Sequence, residues 1–338
     1  MPTWGLTFHL LAEDVFGDGW AAMFRRLEPG YRAWFDRHGG TWPALQESRH
    51  ALATHMPELL PHWERLVRLA GGGGDVARML ALWRPPSILT GCSQAVVTKP
   101  RALVRNYDYD PLRFDAVVAC TALTGRRVLG VSDCLWGLLD GVNDAGLVVS
   151  LTFGGRNVMG PGFAAPLILR YVLETCATSL QAREVLRRLP VHMPYNFTVD
   201  DLDADAFTAW LSPDRPAQIV ATPAATNHQG PVIEWLDYAV ATGTLRRLDV
   251  LRALQRLAIP LERAVDRFLE PPLYAVDYAN GFGTLYTAVY RAPGRSLTLV
   301  WPGSEWQHRI DALGPDKHRV MLESPPQGDL SPAIVPPG

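Results

Sequence analysis

Thr90-Gly91-Cys92-Ser93-Gln94-Ala95-Val96-Val97-Thr98 is where this chain changes texture. Before it the pattern is helical. After it come short runs at 94–98, 102–107, 116–121 and 127–131, rich in Val and Leu and divided by turn residues, which read as strands. A cysteine stands at that boundary, behind a glycine. Arg105-Asn106-Tyr107-Asp108-Tyr109 follows one short strand later. The arrangement points to a nucleophile made by cutting the chain in front of it.

The chemistry of such a cut is simple. Cys92 would gain a free α-amine beside its thiol. An α-amine titrates near about 7.7–8.0, so it can take the thiol proton and serve as the residue's own base. A small residue is then wanted at Gly91, because the thiol must approach the preceding carbonyl carbon and glycine tolerates the strained backbone. Arg105 would favour thiolate and lower the cysteine pKa. Asp108 could hold the new amine. In a strand, Arg105 and Tyr107 share one face, and Asn106 and Asp108 the other. Either the strand ends or bulges near Tyr107, so that Arg105 and Asp108 both reach Cys92, or one of them acts indirectly; an end or a bulge is expected.

Working outward, 42–69 reads as one helix with Thr41 as N-cap and Pro43 in the first turn. Gly71 to Gly74 ends it, and a short helix at 75–83 stops at Arg84-Pro85-Pro86. Downstream, Asn143-Asp144-Ala145-Gly146 reads as a hairpin turn. Helices are expected at 164–176 and 179–189, strands at 195–200, 207–211 and 218–221, then helices at 242–258 and 261–268. A hairpin joins 284–290 to 296–301 across Pro293-Gly294. The stretch after Gly303 is proline-rich and reads as irregular. Strands in runs, then helices, then strands again argue for a layered α+β fold. The division is 1–91, a helical precursor segment; 92–302, a catalytic core; and 303–338, a tail, all within one structural unit.

The 338 residues carry 48% hydrophobic and 20% charged side chains and a net charge of −2. That composition supports a globular core and offers no electrostatic footprint for nucleic acid or an anionic membrane. No apolar run reaches the roughly 20 residues of a spanning helix. Met1-Pro2-Thr3-Trp4 has no basic n-region, so a cytoplasmic location is expected. Cys120, Cys134 and Cys176 make no CxxC pair and read as buried thiols. Asp200 to Asp205 fails as a calcium loop, because Ala206 and Ser212 stand where glycine and glutamate are needed. No metal and no cofactor are expected. His192 and His228 are the candidates for an alternative cysteine–histidine mechanism without self-cleavage. Tyr107, Trp136 and Phe153 lie near the proposed site and are candidates for an acyl pocket.

Three stretches resemble the N-terminal-nucleophile (Ntn) hydrolases of the choloylglycine hydrolase and penicillin acyltransferase group. They are Thr90-Gly91-Cys92-Ser93, Arg105 to Tyr109, and Asp140-Gly141-Val142-Asn143-Asp144-Ala145-Gly146-Leu147. Tyr195 to Asp200, Thr226-Asn227-His228 and Phe282-Gly283-Thr284-Leu285-Tyr286 continue the likeness in family order. The acyltransferase-like branch fits best, because a long segment precedes the cysteine. The resemblance implies a four-layer αββα sandwich with two mainly antiparallel sheets, and self-cleavage between Gly91 and Cys92. It gives Cys92 the role of nucleophile, matches Arg105 and Asp108 to the family's RNxD pair, and makes Asn227 the residue that positions the amine and polarises the oxyanion. Two places depart from the pattern. Thr152 stands where an oxyanion-hole Asn is found. The family's late arginine falls in Thr244-Leu245-Arg246-Arg247, where the strictest register gives Thr244 and leaves Arg247 as a secondary candidate. The expected activity is cleavage of a non-peptide amide of a small N-acyl molecule through a Cys92 thioester. Acyl transfer to an amine is the alternative, and a catalytically silent binding protein the reading from another class. The cut segments are expected to stay associated, and a homo-oligomer is compatible with the sequence.

Overall fold

The computed structural model describes residues 3–37, 42–87, 90–203 and 206–323. The chain opens with β1 (Thr3–Ala12) and four helices, α1 (Asp18–Arg37), α2 (Leu45–His55), α3 (Leu60–Leu69) and α4 (Gly74–Ala81). From Gly91 it becomes β2 (Gly91–Thr98), β3 (Arg101–Tyr109), β4 (Val117–Thr121), β5 (Val128–Asp133), β6 (Gly137–Asn143) and β7 (Val148–Phe153). After α5 (Ala165–Thr175) and α6 (Ser179–Arg188) come β8 (Tyr195–Asp200), β9 (Phe207–Ser212), β10 (Arg215–Val220) and β11 (Ala224–Ala225). Helices α7 (Leu236–Thr242), α8 (Thr244–Arg256) and α9 (Leu261–Phe268) lead to β12 (Val276–Asp277), β13 (Phe282–Arg291), β14 (Ser296–Trp301), β15 (Ser304–Arg309) and β16 (Lys317–Glu323).

Two sheets result, and they are mainly antiparallel. One has the order β10-β9-β8-β7-β6-β5-β4-β1-β16; the other runs β11-β2-β3-β13-β14-β15, with β12 on β13. Helices α5 and α6 cover the first sheet, and α8 and α9 cover the second. The inner faces meet where β2 lies on β7, giving the αββα order of layers. Polar contacts cross this interface as well as apolar ones: the Gln94 amide donates to Thr198 Oγ1 (2.7 Å), and Ser150 Oγ donates back to Gln94 Oε1 (2.6 Å). Such groups persist in a core only when paired. Among the described residues no helix is long and apolar enough to cross a membrane.

Several expectations need correction. The single helix at 42–69 is two, because Pro57 follows Met56 and cannot donate a helical hydrogen bond; a 3-10 turn at Pro57–Leu59 bridges them. The helix expected at 242–258 is α8; Gly243, whose φ is 59°, parts it from α7, a helix the sequence reading did not include. The proposed N-cap Thr41 lies outside the described residues. The stretch after Gly303 is not irregular throughout, since it supplies β15 and β16. The first 91 residues are not wholly helical either. Strand β1 lies inside the first sheet, parallel to β4 and antiparallel to β16. The Asn143 turn is as read: its side chain accepts from Ala145 and Leu147 N–H and donates to the carbonyls of Leu173 and Cys176, tying the turn to the end of α5.

Candidate active site

Strand alternation builds the site. In the β2–β3 ladder Cys92 faces Tyr107, Ser93 faces Asn106 and Gly91 faces Asp108, with no slip in register. Cys92, Arg105 and Tyr107 therefore point to the face between the sheets. Ser93, Asn106 and Asp108 point to the face under the helices.

On the inner face, Arg105 Nη2 donates to Cys92 Sγ at 3.4 Å. Its Nη1 bonds Asp140 of β6, and also Tyr286 OH at 3.0 Å. Asp140 further accepts from the phenols of Tyr286 and Tyr290. The Arg105 guanidinium packs 4.9 Å from the Tyr107 ring centre. Arg105 and Asp140 are both fully buried, so each is the charge that makes the other tolerable there.

On the outer face, Asp108 accepts from Thr284 Oγ1 (2.7 Å) and pairs with Arg247 Nη1 (3.3 Å). Arg247 reaches across from α8. Its Nη1 donates to Cys92 O (2.8 Å) and Ser93 Oγ (3.0 Å), and its Nη2 donates to Asn227 Oδ1 (2.6 Å). Asn227 Oδ1 also accepts the Cys92 backbone N–H at 3.0 Å. The nitrogen that a cut would free is thus already held by the acceptor that would orient it. Asn227 Nδ2 donates to the carbonyls of Thr90 (3.1 Å) and Phe153 (3.2 Å).

This geometry revises the expected roles. Strand β3 neither ends nor bulges at Tyr107. The irregularity is in its neighbour β13, between Thr284 and Tyr286. Asp108 accordingly reaches Cys92 through Arg247. The thiol is fully buried, and burial pushes its pKa up against the opposing pull of Arg105. A guanidinium alone does not make it a thiolate in the uncut chain. Gly91 is needed for space: its φ is not among the positive ones, but a Cβ there would lie 2.3 Å from Phe282 Cζ. Thr152 Oγ1 donates to Thr226 O (3.0 Å) and accepts from Asn196 Nδ2 (3.0 Å), so its hydrogen is committed.

A family model described as acyl-coenzyme A:6-aminopenicillanic acid acyl-transferase matches residues 97–306. The chain belongs to this family. The matched span covers Arg105, Asp108, Asp140, Asn227 and Arg247 and begins just after Cys92. No curated protein matches this member of the acyl-transferase family. Among solved structures it is similar to a mutant of conjugated bile acid hydrolase from Clostridium perfringens, at 13% identity and TM-score 0.43, over 70% of this chain and 97% of that one. The N-acylethanolamine-hydrolyzing acid amidase ortholog of Caenorhabditis elegans matches at 15% and 0.45, over 60% of this chain and 92% of its own. Penicillin V acylase from Agrobacterium tumefaciens matches at 13% and 0.38, over 66% and 78%. Motif order and family match agree on the penicillin acyl-transferase group.

Within this family member the other sequence candidates fall as follows. Tyr107, Trp136 and Phe153 are fully buried. Tyr107 OH donates to Asp133 (3.2 Å), and Trp136 Nε1 to the Leu80 carbonyl of α4 (2.8 Å). Of the three, Tyr107 stands opposite Cys92 in the β2–β3 ladder. His228 Nδ1 pairs with Thr244 Oγ1 (2.9 Å), and His192 Nδ1 with Gly160 O (2.7 Å). The side chains hydrogen-bonded to Cys92 Sγ are those of Arg105 and Thr90, not a histidine. Among the described residues no His/Cys/Asp/Glu group could hold a metal ion.

Motif matching left Asp140 without a role and offered Arg247 only as the secondary candidate for the late arginine, behind Thr244, which instead bonds Thr226 and His228. Each had a physical signal. Asp140 interrupts the apolar run of β6, and a buried charge needs a partner. Arg247 shares the apolar face of α8 with Leu248, Leu251 and Leu254, where an arginine must be anchored by something inside.

Proposed function

We propose that the protein is a self-processing cysteine enzyme that hydrolyses a non-peptide amide of an N-acyl small molecule. The observation that carries this reading is the pair of contacts on Cys92: Arg105 on the sulfur and Asn227 Oδ1 on the nitrogen. In processing, Sγ adds to the Gly91 carbonyl carbon and the Gly91–Cys92 C–N bond breaks. The leader is then a thioester on Cys92, and the nitrogen, with the thiol's proton, becomes an amine. Water hydrolyses the thioester and leaves a carboxylate on Gly91. In turnover the new α-amine takes the thiol proton. The sulfur adds to the substrate carbonyl, the proton passes to the leaving amine, and water releases the acyl group. Arg105 favours the thiolate, and Asn227 with Arg247 fixes the amine. The same acyl-enzyme serves transfer if an amine replaces water. Hydrolysis needs no second substrate site and is the preferred outcome.

The test is the mass of the purified protein and of its Cys92→Ala variant. The expected result is a fragment beginning at Cys92 in the wild type and an intact, inactive variant. An intact, fully active wild-type chain, or normal cutting in the variant, overturns the reading. Product analysis with and without added amine separates hydrolysis from transfer.

A further inference from the structure

The expected oxyanion residue Thr152 has spent its hydroxyl hydrogen on Thr226 O, so Asn227 Nδ2 needs another partner to stabilise charge on a carbonyl oxygen. A second donor is in place. Tyr238 OH donates to Thr90 O at 2.6 Å, and Asn227 Nδ2 donates to the same oxygen at 3.1 Å. Two side-chain donors from separate elements thus converge on one buried carbonyl next to the nucleophile. The Thr90 side chain itself lies 3.7 Å from Cys92 Sγ.

Tyr238 is built to hold that position. It projects from α7, its ring is perpendicular to Phe153 (centres 5.3 Å apart), and Trp235 stacks on it at 4.9 Å. The side chain is nearly fully buried, and burial raises its phenol pKa, so the hydroxyl stays a donor. A buried donor pair aimed at one oxygen is the arrangement that stabilises charge developing on a carbonyl. In the uncut chain the occupant is the leader's own Thr90 carbonyl.

We propose that Tyr238 is a catalytic residue, the second oxyanion donor beside Asn227, and that the Thr90 carbonyl fills this cradle until the cut end of the leader withdraws. The assignment rests on Cys92 being the nucleophile. When sulfur adds to a substrate carbonyl, the C–S bond forms and the C=O π pair moves to oxygen. That oxygen takes the place of Thr90 O and receives the Tyr238 and Asn227 hydrogen bonds. Collapse returns the pair and expels the leaving group.

Two reagents separate this role from a structural one. p-Nitrophenyl acetate acylates Cys92 through an oxyanion. Iodoacetamide alkylates the same sulfur by displacement at a saturated carbon and forms none. Both rates are measured on processed wild-type and Tyr238→Phe protein, with thermal unfolding to verify the fold. The expected result is a fall of about 10²–10³-fold in ester acylation, with iodoacetamide alkylation unchanged. Equal slowing of both reagents, or slowing of neither, overturns the assignment. So does a Tyr238→Phe chain that never processes, because the hydroxyl's essential task would then be holding Thr90. If wild-type Cys92 reacts with iodoacetamide but not with the ester, the nucleophile reading itself falls, and this assignment with it.

Discussion

Replacing Gly91 by alanine isolates the steric demand at the proposed cut. The added Cβ would lie 2.3 Å from Phe282 Cζ, 2.4 Å from Cε2 and 3.1 Å from Asp108 Cβ. Carbon atoms rest at about 3.5–4.0 Å, so ring and backbone must part by roughly 1.2 Å or more. Overpacking of this kind costs about 1–3 kcal/mol. If part of the shift falls on the backbone, the carbonyl carbon moves relative to Sγ. A misplacement of about 1 Å costs on the order of 10²-fold in rate. The assay is a time course of the fragment beginning at Cys92, from chain synthesised in a cell-free system and followed by mass. Gly91→Ala is expected to process about 100-fold more slowly than wild type. Phe282→Ala in the same chain should restore most of the rate, since the remaining approach to Asp108 needs only a small adjustment. Wild-type speed in Gly91→Ala refutes the steric argument. A slow double variant refutes Phe282 as its cause and returns the explanation to backbone strain.

Three further outcomes follow from the buried charges. Asp140→Asn leaves Arg105 buried without its counter-charge, at a cost of about 3–5 kcal/mol. Unfolding entropy of about 2.1 cal/mol/K per residue turns that into a Tm lower by roughly 4–7 °C, and an unchanged Tm by calorimetry would show the pair to be dispensable. Arg247→Lys keeps the charge but loses the fork that spans Cys92 O, Ser93 and Asn227; processing should slow at least about tenfold, and normal processing would remove Arg247 from the site. Asp133 is held by Cys134 N–H, Tyr107 and Tyr31 beside Asp115, and burial pushes its pKa up to about 6. A raised carboxyl pKa means the folded state keeps the proton, so this stabilisation is full at low pH and is lost as pH rises through about 6. Asp133→Asn should therefore gain on the wild type in thermal unfolding as pH rises from about 4 to about 6, and a variant that loses ground over that range contradicts the assignment.

The legible parts of the fold were those with strong local signals. Strand β8 and helix α9 match the sequence reading residue for residue, because alternation in one and a clean apolar face in the other leave little choice. Strands β1, β15 and β16 were missed because long-range pairing makes them strands. Phe8 of β1 is buried among Phe114, Tyr286, Trp301 and Trp306, all more than a hundred residues further along the chain. Helix α1 was hidden by Pro29 and Gly30 within it. At the site, motif order brought Cys92, Arg105, Asp108 and Asn227 into view, and the structure gathers all four. The alternation that divides Arg105 and Asp108 between the two faces of β3 was legible too, but an end or bulge was expected to undo it, and the ladder runs on without one. What joins the faces was legible only in part: Arg247, on a helix more than a hundred residues away, was a secondary candidate behind Thr244, and Tyr238 belongs to no motif. Such residues are chosen by the shape of the folded chain, which one-dimensional spacing does not record.

Strand β1 gives the leader a lasting place. It lies in the interior of the nine-stranded sheet, hydrogen-bonded on both sides, to β4 and to β16. A cut after Gly91, at the start of β2 in the other sheet, would therefore release nothing; it would leave the nine-stranded sheet built from two chains. Before the cut, unfolding and refolding involve one molecule. After it, the same sheet can be rebuilt only by two chains that must find each other. Recovery from denaturant should then depend on protein concentration in the processed form and not in Cys92→Ala. Processing would make the fold irreversible in practice: assembled once as a single chain, and kept afterwards by its own hydrogen bonds.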